Sequence, residues 1–89
     1  MSEAPKYLAA PAALIWDELV EAGIIPAPRF DAYCNQISIE RDAAKRISAE
    51  GLIVANEKGV PVAHPALEIQ RKAQAEIRAW AGKFRTARR

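Results

Sequence analysis

The stretch Glu50-Gly51-Leu52-Ile53-Val54-Ala55-Asn56-Glu57-Lys58-Gly59-Val60-Pro61-Val62-Ala63-His64-Pro65 decides the fold, because the residue pattern changes twice inside it. Leu52-Ile53-Val54 and Val60-Pro61-Val62 are short β-rich runs flanking Asn56-Glu57-Lys58-Gly59, a turn that ends in glycine. That arrangement predicts a small hairpin or an extended loop. Pro61 lacks an amide donor and puts its run at an edge. A two-stranded hairpin is marginal by itself, so this one is expected to pack on neighbouring helices through Leu52, Val54 and Val62.

On either side of this stretch the spacing is helical. Upstream, a helix of about 22 residues is expected from Arg29 to Gly51, with Phe30, Tyr33, Cys34, Ile37, Ala44 and Ile47 recurring every three or four positions. Downstream, Pro65 suits a first helical position, and a helix is expected from there to about Phe84. Its residues Ala66, Ile69, Ala73, Ile77, Trp80 and Phe84 fall within about 80° of one another on a helical wheel and form the expected core stripe. Further upstream, Pro11 opens a helix that continues to Glu21 with Ile15, Trp16, Leu19 and Val20 on one side, and Gly23 stops it. Ile24-Ile25-Pro26-Ala27-Pro28 is a short linker, since its prolines remove donors and hold their predecessors extended.

The expected fold is therefore all-α: three helices, the first two a helical hairpin, with a short β-hairpin between helices two and three. The expected organisation is an N-terminal arm over residues 1–9, a helical domain over 10–84 and a basic tail over 85–89.

Composition says why such a domain would seek company. Nineteen of the 45 apolar residues are alanine, a good helix former that buries little area. A domain of 89 residues with so thin a core commonly needs a disulfide, a metal or a subunit partner. Cys34 is the only cysteine, which excludes an intrachain disulfide, and one Cys with one His cannot complete a structural zinc site. Oligomerisation remains. Ile39 points the same way, lying about 200° around the helix from Ile37, so one face cannot bury both. Either a loop or the third helix of the same chain covers Ile39, or a second subunit does.

No apolar run approaches the roughly 18 residues of a membrane span, and Met1-Ser2-Glu3-Ala4-Pro5-Lys6 does not resemble a signal peptide, which leads to the expectation of a cytoplasmic protein. There is no glycine-rich phosphate loop. His64 has neither a nucleophile nor a carboxylate at suggestive spacing and reads as a structural residue at a helix entry. Cys34 reads as a small buried hydrophobe. The expectation is a non-catalytic binding or assembly module without cofactor or metal.

The net charge of +2 is the difference between two unlike halves. Residues 1–44 hold 3 basic and 7 acidic side chains, whereas residues 45–89 hold 10 basic and 4 acidic. Arg71, Arg78 and Arg85 are spaced by seven, which on a continuous helix lines them up about 10.5 Å apart. Gln70 and Gln74 border the line, and a helix presenting Arg and Gln can lie against a phosphate backbone or in a major groove. The same pattern also fits a solvated face, with Glu68–Lys72 and Lys72–Glu76 as ion pairs. Arg88 and Arg89 extend the basic end, and Lys45, Arg46 and Lys58 could widen it, although Asp42–Arg46 is an ordinary i,i+4 pair.

Taken in order, Trp16-Asp17-Glu18-Leu19, Gly23-Ile24-Ile25, Tyr33-Cys34, Glu50-Gly51-Leu52-Ile53-Val54, Lys58-Gly59, His64-Pro65-Ala66-Leu67 and an Ala/Arg-rich helix ending at Phe84 resemble the small-subunit family of phage terminases. The resemblance spans roughly residues 10–84. It implies a non-enzymatic DNA-packaging factor in the bacterial host cytoplasm that assembles into a ring, recognises the start site on double-stranded concatemeric DNA and recruits the large subunit, which holds the ATPase and nuclease. Under it, Arg71, Arg78, Arg85, Arg88 and Arg89, with Lys45, Arg46 and Lys58, are the expected DNA contacts, and Ile39 the expected subunit contact. Family members commonly carry a longer Pro- and Lys-rich N-terminal arm and a Gly-Leu-x-Pro-x-x-Arg stretch after the phenylalanine. The departure from both implies, as an alternative, a satellite-type adaptor that binds another phage's terminase subunit as a hetero-oligomer and redirects it. A small helical transcriptional regulator is the second alternative, dimeric on a palindromic site.

Overall fold

The computed structural model describes residues 3–87, so the tail cations Arg88 and Arg89 lie outside the described residues. Three helices and one hairpin follow in chain order: α1 (Ala10–Glu21), α2 (Phe30–Glu50), β1 (Ile53–Ala55), β2 (Pro61–Ala63) and α3 (Ala66–Trp80). The long α2 is the spine. It packs against both α1 and α3, giving a particle 53 × 24 × 21 Å.

Helix ends follow local chemistry. Helix α1 stops in a Schellman turn: Ile24 N–H donates to Leu19 O (2.9 Å) and Gly23 N–H to Val20 O (3.0 Å), with Gly23 at φ +108°. Helix α2 ends at Gly51, whose φ of +89° lets the chain turn into the hairpin. Helix α3 is entered through His64, whose Nδ1 accepts from Ala66 N–H (3.0 Å) while Nε2 meets Glu50 Oε1 (2.6 Å). Because Nδ1 is an acceptor, the ring proton sits on Nε2 and is donated to Glu50. His64 thus caps α3 and ties it to the last turn of α2, a structural role as its place in the sequence suggests.

The hairpin has the predicted strands, shifted by one residue, in the antiparallel register Ile53↔Ala63, Val54↔Val62 and Ala55↔Pro61. Asn56 organises its turn by accepting from Lys58 N–H and Val60 N–H, both at 2.9 Å. The expected seating on the helices is not what forms. Val54 and Val62 are half-buried across the ladder, but Leu52, Ile53 and Val60 remain 59%, 62% and 50% exposed. Its principal contact is strand to strand, so the hairpin stands off the helices as an arm.

The core sits at the opposite end. Trp16 and Phe30 meet edge-to-face at 4.7 Å between ring centroids, Phe30 and Phe84 at 5.3 Å, and Tyr33 and Phe84 at 5.1 Å, with buried Ile15 and Cys34 beside them. Burial pushes the Cys34 thiol up to about 11. Toward the hairpin the α2–α3 seam narrows to the buried alanines Ala43, Ala66 and Ala73.

Two expectations about α3 need correction. The helix ends at Trp80, four residues short of Phe84, because Gly82 adopts φ +83° and the chain folds back to bury Phe84 in the aromatic cluster. Ile69 is not core: it is 51% exposed. Beyond Phe84 the chain is pinned rather than trailing. Ile25 N–H donates to Arg85 O (2.8 Å), Ala87 N–H to Gly23 O (2.6 Å), and Thr86 forms an antiparallel bridge with Ile24.

Candidate nucleic-acid interface

The cations singled out in the sequence occupy separate parts of the surface. Arg71 and Arg78 share one flank of α3, two turns apart, and both are exposed. Arg71 is paired with Glu68, whose carboxyl it holds below the usual range, while Arg78 has no carboxylate partner among the described residues. Arg85 does not continue the line. The helix has ended, and Arg85 is carried to the strand-like pairing with Ile25.

Gln70 and Gln74 are not free to read a nucleic acid. Their side-chain amides both donate to Glu40 Oε2, at 3.1 and 3.3 Å, and fasten α3 to α2. Lys45 and Arg46 line a groove with Ile69, which lies about 160–180° around α3 from Arg71 and Arg78, so they belong to another face. Arg46 is bonded to Asp42 at 2.9 Å, which raises the guanidinium further above its already high range. Lys58 projects from the hairpin tip.

The tightest arrangement of cations and aromatic surface is one the sequence did not disclose. The Arg29 guanidinium lies 5.2 Å from the centroid of the half-buried Trp80 ring, and the Lys83 ammonium 5.9 Å from it. Arg29 holds this position in a left-handed conformation (φ +75°), the only non-glycine residue of that kind among the described residues. Such a backbone costs on the order of 1–3 kcal/mol and persists where surroundings impose it. Here Phe30, next in the chain, is fully buried against Trp16 and Phe84. Arg29, Lys83 and Arg85 therefore flank in sequence two phenylalanines whose rings touch, which gathers three cations at the aromatic end of the molecule. No local sequence signal joins Arg29 to a tryptophan 51 positions away.

Cations gathered at one end of the molecule suit phosphate contacts, since guanidinium and ammonium groups neutralise backbone charge. Both His64 nitrogens are engaged in holding helix ends. Among the described residues there is no group of three or more His, Cys, Asp and Glu placed to hold a metal, and no helix long and apolar enough to cross a membrane.

A second feature is a groove of about 550 Å³ with α2 as its floor and α1 and the start of α3 as its walls. Pro11, Leu14, Ile39, Ala43 and Ile69 supply its apolar lining, and Leu14 is 65% exposed. Ile39, half-buried, faces this groove. Arg41 and Glu18, 3.3 Å apart, bridge α2 to α1 at its edge.

No curated protein and no solved structure matches the chain. A family model does, that described as phage terminase, small subunit, over residues 13–85.

Proposed function

The chain belongs to the phage terminase small-subunit family, and on that premise we propose that it recognises packaging-site DNA as an oligomer and recruits the large subunit, taking no catalytic step itself. The observation that carries the DNA part is the cluster of Arg29 and Lys83 about Trp80, with Arg85 beside Phe84 at the same end; Arg71 and Arg78 form a separate basic flank on the opposite side of α3. Arg88 and Arg89 extend these contacts, and Lys45, Arg46 and Lys58, on other faces of the copy, add weaker ones. Dispersal of these cations over one copy is what makes assembly useful. Repeating each of them around an oligomer presents DNA with many phosphate contacts that a single copy lacks. The partners of this reading are double-stranded DNA and the terminase large subunit, met in the host cytoplasm where concatemeric DNA is made.

Replacing Arg71, Arg78 and Arg85 together by Gln tests it. Retention of DNA should be lost, while circular dichroism shows unchanged helicity, because all three side chains are exposed. Unchanged binding would remove the arginines from the interface. A stable complex with another small subunit, with weak DNA binding in either form, would favour the satellite-type adaptor instead.

A further inference from the structure

We propose that the β1–β2 hairpin of one copy inserts into the α1–α2–α3 groove of a second copy, head to tail. The inference rests on the oligomeric reading above and names the surfaces that make the oligomer.

The hairpin is the first observation. A two-stranded sheet is marginal in water by itself, yet this one has strand-to-strand pairing as its principal contact and exposes Leu52, Ile53 and Val60 on a projecting arm. The groove is the second. It is a concavity lined by exposed Leu14 and Ile69 and by half-buried Ile39. One complementary pair is on offer: Lys45 on the groove rim has no carboxylate partner among the described residues, and Glu57, beside Lys58 at the hairpin tip, has no cation. The two surfaces share no residue. Each copy thus offers one donor and one acceptor, and such heterologous contacts close into rings when the rotation between copies permits.

Two sets of variants and a cross-link test the proposal. Ile53→Asp and Val60→Asp alter exposed hairpin residues, and Leu14→Asp and Ile69→Asp alter exposed groove residues, so each should keep its helicity. Native mass measurement should show every one falling from the wild-type oligomer to a single subunit. Mixing a Val60→Cys chain with a Leu14→Cys chain and adding a short bismaleimide should link the unlike chains, while the raised, buried Cys34 thiol keeps the background low. A chain carrying both substitutions should give a ladder of linked species. An oligomer of unchanged mass in all four variants overturns the hairpin contact and leaves the ring reading intact. Links confined to like Val60→Cys chains mean hairpin pairs with hairpin and overturn the groove. Loss of large-subunit binding at unchanged mass gives the groove to that partner and likewise overturns the proposal. A wild-type chain that stays a single subunit at high concentration overturns both readings.

Discussion

Phe84→Ala tests how the aromatic end holds the candidate interface together. Phe84 is 9% exposed, edge-to-face with Phe30 at 5.3 Å and in contact with Tyr33 and Trp80 at 5.1 and 6.0 Å between centroids. An aromatic side chain buries roughly 150–250 Å², which at about 25 cal/mol per Å² corresponds to roughly 4–6 kcal/mol. Alanine retains the Cβ contact and the site lies at the edge of the core, so a loss of about 3 kcal/mol is expected, the lower end for Phe→Ala. Against a total of roughly 5–15 kcal/mol that is a large fraction. With about 4–8 °C of Tm for each kcal/mol in a domain of this size, the midpoint should fall by roughly 12–24 °C. Thermal unfolding followed by circular dichroism measures it. Phe84→Leu, which keeps the volume but loses the ring pairs, should cost only about 1 kcal/mol. Hydrogen exchange adds a local readout: the amides of Ile25 and Ala87, both bonded across the pinned C-terminal segment, should lose protection in Phe84→Ala before α2 does. A fall in Tm of less than about 4 °C, equivalent to under about 1 kcal/mol, would refute the claim that Phe84 anchors this end.

Other expectations follow from single contacts. His64→Ala leaves the Ala66 N–H without its acceptor at the buried start of α3 and should cost about 1–2 kcal/mol in urea unfolding, with His64→Asn recovering part of it. Gly23→Ala forces a side chain into φ +108° and 3.4 Å from the Ala87 carbonyl, and should lower Tm by about 4–16 °C for a cost of about 1–2 kcal/mol. The Tyr7 hydroxyl donates to Asp31 at 2.6 Å, which with the Ala32 N–H holds the Asp31 carboxyl below its ordinary range and pushes the phenol above its own. A depressed carboxyl contributes stability above its unfolded pKa and loses it as pH falls through the folded value. The raised phenol contributes below its unfolded pKa and loses it as pH rises through the folded one. The N-terminal tether should therefore hold across neutral pH and release at both extremes, and in Tyr7→Phe the Asp31 carboxyl carbon should titrate by NMR closer to the usual carboxylate range.

Elements defined by strong local periodicity or punctuation were legible in the sequence. Pro11, Gly23, Gly51 and Pro65 mark element ends within a residue or two, and Asn56-Glu57-Lys58-Gly59 is the turn its composition suggests. What escaped depends on tertiary competition. A helical wheel carries Arg85 onto the Arg71–Arg78 line, but burying Phe84 against Phe30 outweighs continuing α3, and Gly82 gives the chain the freedom to turn back. Gln70 and Gln74 look like surface readers in a sequence because nothing there shows that Glu40, 30 and 34 positions earlier, faces them. The hairpin was expected to pack on the helices because two strands are marginal by themselves; the exposure of Leu52, Ile53 and Val60 shows instead where the shortage of core is felt. Ile39 was legible as a misfit on its helix, and it does line the groove, whereas Ile69 on a neighbouring wall fell on the expected core stripe of the third helix.

The central claim is that this small domain recognises DNA through many cations supplied by an assembly, and the salt dependence of that binding tests it most directly. Binding of the native particle to packaging-site duplex should weaken linearly in log affinity against log salt, with a slope of about −0.9 for each phosphate neutralised. Six to ten contacts across the assembly would cost about a thousandfold or more in affinity between about 50 and 200 mM salt. Weak binding that stays flat over the same range, with an intact complex with a terminase subunit, would contradict the account and leave an adaptor in its place.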